Sequence, residues 1–385
     1  MRMSDSPPLK SFSLTGNSGS AMTVEQLEKH LKTLAKLEET VAPVISCYLT
    51  VSDAAAEHHF ILEDRLCSLR STFSGKQRQA FQQAAGKIRE FMRAGVATQT
   101  HGVAVFSRGG DCPFFLPLQF QVPLPNTITA DFTPKIYSLV ELRDTYDRYV
   151  ILLMKQGIGA IIMIDLGAPT EQIWTTRDEH RQQADGQLIR QLERLISHGK
   201  YDHLMLVGDL PTITNARAAL PPHLASKVVD VIAACPTDPV PDVIHATLRP
   251  FLKHRDFDSE VVTRTLVNKI ATQGSAVTGT CSSFRAVKGG RAELLVLLES
   301  YDPGLGWECR DCGRIETNVL CPEFCPKCRS TSLRLFETRE ELVRLATRIH
   351  CQVEVVKESE FLWALGGVGC MVRLLSPANS VSRAA

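Results

Sequence analysis

Two short cysteine pairs in the last third of the chain constrain its fold more than any other feature. They read Cys309-Arg310-Asp311-Cys312-Gly313 and Cys325-Pro326-Lys327-Cys328, with twelve residues between them. A Cys-x2-Cys turn places two sulfurs on one tight bend, and two such bends can close a tetrahedron around Zn²⁺. Gly313 and Pro326 are residue types that knuckle turns use. Reduced cysteines without metal are the plain alternative, and Cys321, four residues before Cys325, is open as a replacement ligand. A site closed by four thiolates keeps no position for water, so the spacing points to a structural zinc at Cys309, Cys312, Cys325 and Cys328 rather than a catalytic one.

A chain of 385 residues has room for two or three domains. Its 44% hydrophobic content and mean hydropathy of -0.04 describe a soluble globular protein. Lys and Arg number 43 against 42 Asp and Glu, which excludes a generally basic nucleic-acid-binding surface but leaves local patches open. Most of the cysteines stand singly in apolar runs (Cys47, Cys67, Cys235, Cys370), so they do not form a disulfide framework, and a reducing, cytoplasmic setting is expected. The first residues are polar and lack the apolar stretch of a signal peptide. The apolar run from Tyr149 to Asp165 is broken by Lys155, Gln156, Gly157 and Gly159, so it reads as two buried strands around a turn and not as a membrane span. Residues 1–20 and 376–385 read as flexible tails.

The hydrophobic pattern divides the rest. Thr23-Val24-Glu25-Gln26 forms a capping box, followed by Leu27, Leu31 and Leu34 at helical spacing. Val44–Ser52 reads as a strand with Ile45, Cys47, Leu49 and Val51 on one face. Leu62, Leu66, Leu69 and Phe73 mark a second helix, and Phe81, Ala84, Ala85, Ile88 and Met92 a third. Strands are expected at Gly102–Ser107 and within Cys112–Val122. After the 149–165 pair come a short strand at Ile173–Thr175 and a polar stretch over Arg177–Asp185. A helix with Leu188, Leu192 and Leu195 inward follows, then strands at His203–Gly208 and Val228–Ala233. The last third holds a helix near Ser259–Thr272, a helix at Ser283–Lys288 and a strand at Glu293–Leu298. Beyond the cysteine insertion lie a helix with Leu342, Leu345 and Ile349 inward and strands at Cys351–Val356 and Cys370–Leu374. This order predicts an α/β chain of three domains: 21–143, 144–256, and 257–376 with the zinc-knuckle insertion at 305–332.

Three segments, in order, resemble the third domain of archaeal and eukaryotic class-I peptide chain release factors. They are Phe284 to Leu297, which includes Lys288-Gly289-Gly290-Arg291; the two cysteine knuckles; and Ala364-Leu365-Gly366-Gly367-Val368-Gly369-Cys370-Met371-Val372-Arg373. His101–Phe106, the 149–165 pair and Tyr201–Gly208 extend the likeness backwards, and the N-terminal part is more similar to the bacterial branch of that family. The resemblance implies a ribonuclease-H-like middle domain and an α/β/α C-terminal domain that carries the zinc knuckle. It also implies a role at the ribosome in termination, rescue or recycling. The implied partners are ribosomal RNA or tRNA and a translational GTPase or another protein, with no membrane involved.

Family release factors hydrolyse peptidyl-tRNA with a Gly-Gly-Gln loop that positions water on the ester. The corresponding place here reads Gln183-Ala184-Asp185-Gly186-Gln187, so the resemblance assigns Gly186 and Gln187 to catalysis while Asp185 stands where the first glycine belongs. A plainer reading makes Asp185 the N-cap of a surface helix. A helix from Gly186 to His198 would span only about 20 Å, shorter than the arm of the family. No Asn-Ile-Lys-Ser or Tyr-x-Cys-x-x-x-Phe decoding motif is present, and Ser74-Gly75-Lys76 is a poor substitute. These departures favour the alternative, a non-catalytic RNA-binding adaptor similar to Pelota, which keeps the third domain and lacks the Gly-Gly-Gln loop. A nuclease built on Asp165 and Asp209, each ending a strand, is the third reading. His58-His59 with Asp64 suggests only a surface pair.

Overall fold

The computed structural model describes residues 10–13, 21–51, 55–155, 158–176, 181–234, 238–272, 274–317 and 319–373. They form two compact units. One comprises residues 1–27, 40–132 and 146–254; the other comprises 28–39, 133–145 and 255–385.

The first half of the chain runs β1 (Lys10–Ser13), α1 (Val24–Ala35), β2 (Val44–Thr50), α2 (Ala55–Arg70), α3 (Gly75–Ala94), β3 (Gly102–Arg108), β4 (Phe114–Phe120), β5 (Thr127–Asp131) and α4 (Tyr137–Thr145). The middle follows with β6 (Tyr149–Lys155), β7 (Ile158–Asp165), β8 (Ala168–Thr176), α5 (Arg181–Ser197), β9 (Leu204–Gly208), α6 (Leu210–Ala219), α7 (Pro222–Ala225) and β10 (Val228–Ala233). Then come α8 (Val240–Thr272), β11 (Ala276–Thr278), α9 (Thr280–Lys288), β12 (Ala292–Leu298), β13 (Leu305–Cys309), β14 (Ile315–Thr317) and β15 (Leu333–Glu337). The chain closes with α10 (Thr338–Arg348), β16 (Gln352–Val356), α11 (Glu360–Ala364) and β17 (Val368–Val372).

The first unit holds two sheets. One is antiparallel, in the order β4-β3-β2-β5. Alternate residues of β2 and β3 (Ile45, Cys47, Leu49, Val103 and Val105) pack under Leu62, Leu66, Phe81, Ala84 and Ile88 of α2 and α3. The other is mixed, β1-β8-β7-β6-β9-β10, with β6, β9 and β10 parallel and β7 and β8 turned back as a meander. Its mixed strands and covering helices agree with the α/β class expected from the sequence order. Its inner strands β6 and β9 are apolar almost throughout because both of their faces are covered. Val150, Leu152 and Met154 face Leu188 and Leu192 of α5, while Tyr149, Ile151 and Leu153 face Val243 and Phe251 of α8. Period-two alternation on β6 therefore builds a three-layer sandwich from one seven-residue run.

The second unit is built on the sheet β11-β17-β12-β16, with β12 parallel to β16 and antiparallel to β17. Gly369 of β17 leaves the space that the buried Leu266 occupies, since a Cβ there would lie 2.6 Å from Leu266 Cδ2. A separate small sheet, β14-β13-β15, carries the cysteine knuckles. Charged groups join these parts. Glu341, 5% exposed, accepts from both Arg334 and Arg344, and Arg334 also pairs with Glu308 and Glu39. Glu340 accepts from the N–H groups of Ile136 and Tyr137 at 2.8 and 3.0 Å, which satisfies the open N-terminus of α4.

Four expectations change. Lys10–Ser13 is a strand paired with β8, where a tail was expected. Tyr137–Thr145 forms a helix that the pattern did not mark. The helix expected at Ser259–Thr272 begins at Val240 and continues through Pro250 for 33 residues. The polar stretch over Arg177–Asp185 is helical from Arg181 onward, and Arg177–His180 lies outside the described residues. Cys235 and Leu374 also lie outside them.

Candidate metal centre

Each cysteine pair folds into the same turn. In the first, the Gly313 N–H donates to the Cys309 carbonyl at 2.9 Å and the Cys309 N–H donates to Arg314 O at 2.9 Å. In the second, the Arg329 N–H donates to Cys325 O at 2.8 Å and the Cys325 N–H donates to Ser330 O at 2.7 Å. The residue after each pair takes the left-handed conformation, with φ 67° at Gly313 and 63° at Arg329. Glycine adopts this backbone freely, whereas arginine does so at a cost of about 1 kcal/mol. The Arg329 guanidinium lies 5.2 Å above the Phe324 ring.

The two turns bring four sulfurs together. Cys309 Sγ lies 3.5 Å from Cys328 Sγ, Cys312 Sγ lies 3.6 Å from Cys325 Sγ, and all four fall within 4.8 Å of one another. A tetrahedron with metal–sulfur bonds of about 2.3 Å spaces its sulfurs by roughly 3.8 Å, so the donor set fits a tetrahedral thiophilic ion. Trp307 packs with the site's own Cys309 and Cys325 in a buried cluster, with Leu333 beside it. Cys321 packs against this cluster but is not one of the four converging sulfurs.

The backbone prepares these thiols to ionise. N–H groups of Cys312 and Asp311 donate to Cys309 Sγ and hold its thiol below the usual cysteine range. At Cys325 burial opposes ionisation, but the N–H groups of Cys328 and Lys327 outweigh it and bring the thiol down to about 6. Cys328 moves up. The Ser330 N–H works against that rise, while burial and the sulfurs of Cys309, Cys312 and Cys325 drive it. Thiols crowded in this way share their remaining protons, which a bound dication would displace. Lys288 of α9 anchors the first knuckle through Glu308 Oε1 at 2.7 Å and Gly313 O at 3.2 Å.

The other residues singled out in the sequence are not gathered. Gly186 and Gln187, both half-buried, lie within helix α5 and not in a loop of the kind the resemblance assigns to catalysis. Gly186 is not among the glycines with positive φ, and a Cβ on it would meet nothing within 4 Å. Asp185 is the fifth residue of the same helix and so cannot be its N-cap. The helix has 17 residues and spans roughly 26 Å, longer than the sequence estimate. Asp165 and Asp209 lie at opposite ends of the mixed sheet, because Tyr149 pairs with Ile164 and Met154 with Gly208. That separation is roughly 17 Å at about 3.4 Å per residue, so the two carboxylates cannot share a metal. Asp165 is instead buried against the Tyr201 hydroxyl and the Val24 N–H, and Asp209 caps α6 through the Thr212 N–H. His58 and His59 stack with ring centres 4.9 Å apart, and they are not part of any metal-holding cluster among the described residues.

No family model and no curated protein matches this chain. Solved structures do. The archaeal translation termination factor aRF1 is 14% identical, over 93% of this chain and 100% of that one, with a TM-score of 0.28. Archaeal Pelota, in a ribosome-bound model with ABCE1, is 14% identical over 93% and 96%, with a TM-score of 0.41. S. cerevisiae Dom34 is 11% identical over 96% and 99%, with a TM-score of 0.38. The chain is similar to release-factor and Pelota structures.

Proposed function

We propose that this protein is a ribosome-associated, release-factor-like factor acting in termination, rescue or recycling, and that it works as a binding adaptor. The carrying observation is the arrangement of the second unit. The three segments that resemble the release-factor third domain come together there: α9 leads through the Gly289-Gly290 turn into β12, β17 pairs with β12, and the thiol cluster lies on the small sheet tied to α9. In this reading Cys309, Cys312, Cys325 and Cys328 hold a structural zinc that stiffens the surface. The ribosome, through ribosomal RNA or tRNA, is the principal partner. Pelota has been described bound to the ribosome with ABCE1, and Dom34 as interacting with Hbs1. We propose a comparable protein partner here, a translational GTPase among them.

The second reading is peptidyl-tRNA hydrolysis through Gln187, which is half-buried on α5 beside a glycine with open space around it. The helical backbone of Gly186 favours the adaptor, because a catalytic loop of this kind uses glycine for conformations that a helix does not need. Two assays on purified ribosomes separate the readings. Co-sedimentation without release of peptide supports the adaptor. Peptide release that Gln187→Ala abolishes supports the hydrolase, and failure to sediment with either subunit refutes both.

A further inference from the structure

A groove of about 450 Å³ runs between α9 and the two knuckles. Cys281, Phe284, Arg285 and Lys288 form one wall, and Cys312, Arg314, Ile315, Glu316 and Lys327 contribute to the other. Among the described residues, four cations therefore line one space with a single lining carboxylate, Glu316. Their commitments differ. Lys288 is bonded to Glu308 at 2.7 Å and Arg314 to Glu316 at 2.8 Å. Arg285 and Lys327 are exposed and have no ion-pair partner among the described residues.

We propose that this groove binds the phosphate backbone of RNA, with Arg285 and Lys327 as the primary contacts and Lys288 and Arg314 as supporting charges. The proposal rests on the ribosome-associated reading above and names the surface through which it operates. Three features carry it. Arg285 and Lys288 are spaced i, i+3 and so share one face of α9. Arg314 follows the first knuckle and Lys327 lies inside the second, so the metal-clamped turns fix cations on the opposite wall. The charges come from separate elements along an open groove, which suits a polyanion with regularly spaced charges better than a single anion. Phe284 and Ile315 add apolar surface to the two walls. The chain's net charge of +1 makes this a local patch on an otherwise balanced protein.

A competing role for these cations is to balance the negative charge of the metal–tetrathiolate, since Cys312 forms part of the wall. The test uses the full metal-loaded chain and the double variant Arg285→Glu with Lys327→Glu. It measures metal content and the anisotropy of a fluorescein-labelled RNA hairpin across a salt series. The expected result is unchanged metal stoichiometry and an affinity loss of at least tenfold. The slope of log K against log salt should shrink by about 1.8 for two lost phosphate contacts. RNA binding that ignores the double reversal, or metal lost on reversal with RNA affinity retained, overturns the proposal. Displacement of the hairpin by polyglutamate in preference to unlabelled RNA also overturns it, in favour of an acidic protein segment. Co-sedimentation of the wild-type chain with ribosomes reports separately on the functional reading. A chain that sediments yet binds RNA independently of Arg285 and Lys327 loses only the groove. A chain that binds the hairpin through those residues but never sediments keeps the groove and loses the ribosome.

Discussion

Replacing Gly186 by alanine distinguishes a helix from a catalytic loop at the place where the release-factor resemblance puts its chemistry. Gly186 is the sixth residue of α5, its φ is not positive, and a new Cβ would meet no atom within 4 Å. The substitution adds no clash and removes the entropy that glycine loses on becoming helical, a gain of about 0.5–1 kcal/mol. In a domain of this size that corresponds to a rise of about 1–4 °C in melting temperature, read by calorimetry or far-ultraviolet circular dichroism. Ribosome binding should be unchanged. A lower melting temperature, or a ribosomal peptide-release activity that the variant loses, would show that glycine is needed for a non-helical backbone and would refute the reasoning.

Other perturbations test the remaining parts. Cys325→Ser should leave the purified chain with well under one equivalent of bound metal and a less stable second unit, whereas Cys321→Ser should retain the metal, both read by metal analysis. Gly208→Ala should destabilise the first unit by about 3 kcal/mol in urea unfolding, because the new Cβ would overlap the Met154 carbonyl and force β6 and β9 apart. Burial pushes the Glu340 carboxyl from its ordinary 4.5 up to about 7, against the pull of Lys135 and the N–H groups of Tyr137 and Ile136. The folded state then holds the proton more tightly than the unfolded chain. The stability from this group is fully present below about pH 4.5 and is lost as pH rises through about 7. Glu340→Gln should remove that component of the pH dependence, measured as urea midpoints between these limits.

The sequence was most legible where local chemistry and tertiary packing agree. Thr23 and Gln26 exchange their side-chain bonds to each other's N–H groups as the capping box requires, and Leu27, Leu31 and Leu34 are buried as their spacing demands. The apolar run at 149–165 is the antiparallel pair β6–β7 that its broken pattern predicts. The cysteine spacing likewise brought Cys309, Cys312, Cys325 and Cys328 together and left Cys321 aside. Misreadings came where distant residues decide. The N-terminus of α4 is satisfied by Glu340, 204 residues beyond Ile136, so no nearby cap announced the helix. The helix expected near Ser259 starts at Val240 because Pro241 lies in the first turn of α8, where a missing N–H costs nothing, and burial of Val243 and Phe251 carries the helix past Pro250. Arg181–Asp185 belongs to a polar stretch with no apolar period, so the start of α5 was set too late, whereas Leu188, Leu192 and Ile196 anchor the helix from its other end. The basic groove was invisible for the same reason, since its cations come from α9 and two knuckle turns that only folding brings together.

X-ray absorption spectroscopy at the zinc edge on the purified full-length chain tests most directly whether the two knuckles clamp a metal. One zinc per chain with four sulfur neighbours at about 2.3 Å and no nitrogen or oxygen in the first shell is the predicted result. Substoichiometric metal, or a shell containing light-atom ligands, would contradict it, and the rigid surface proposed to meet the ribosome would then lose its physical basis.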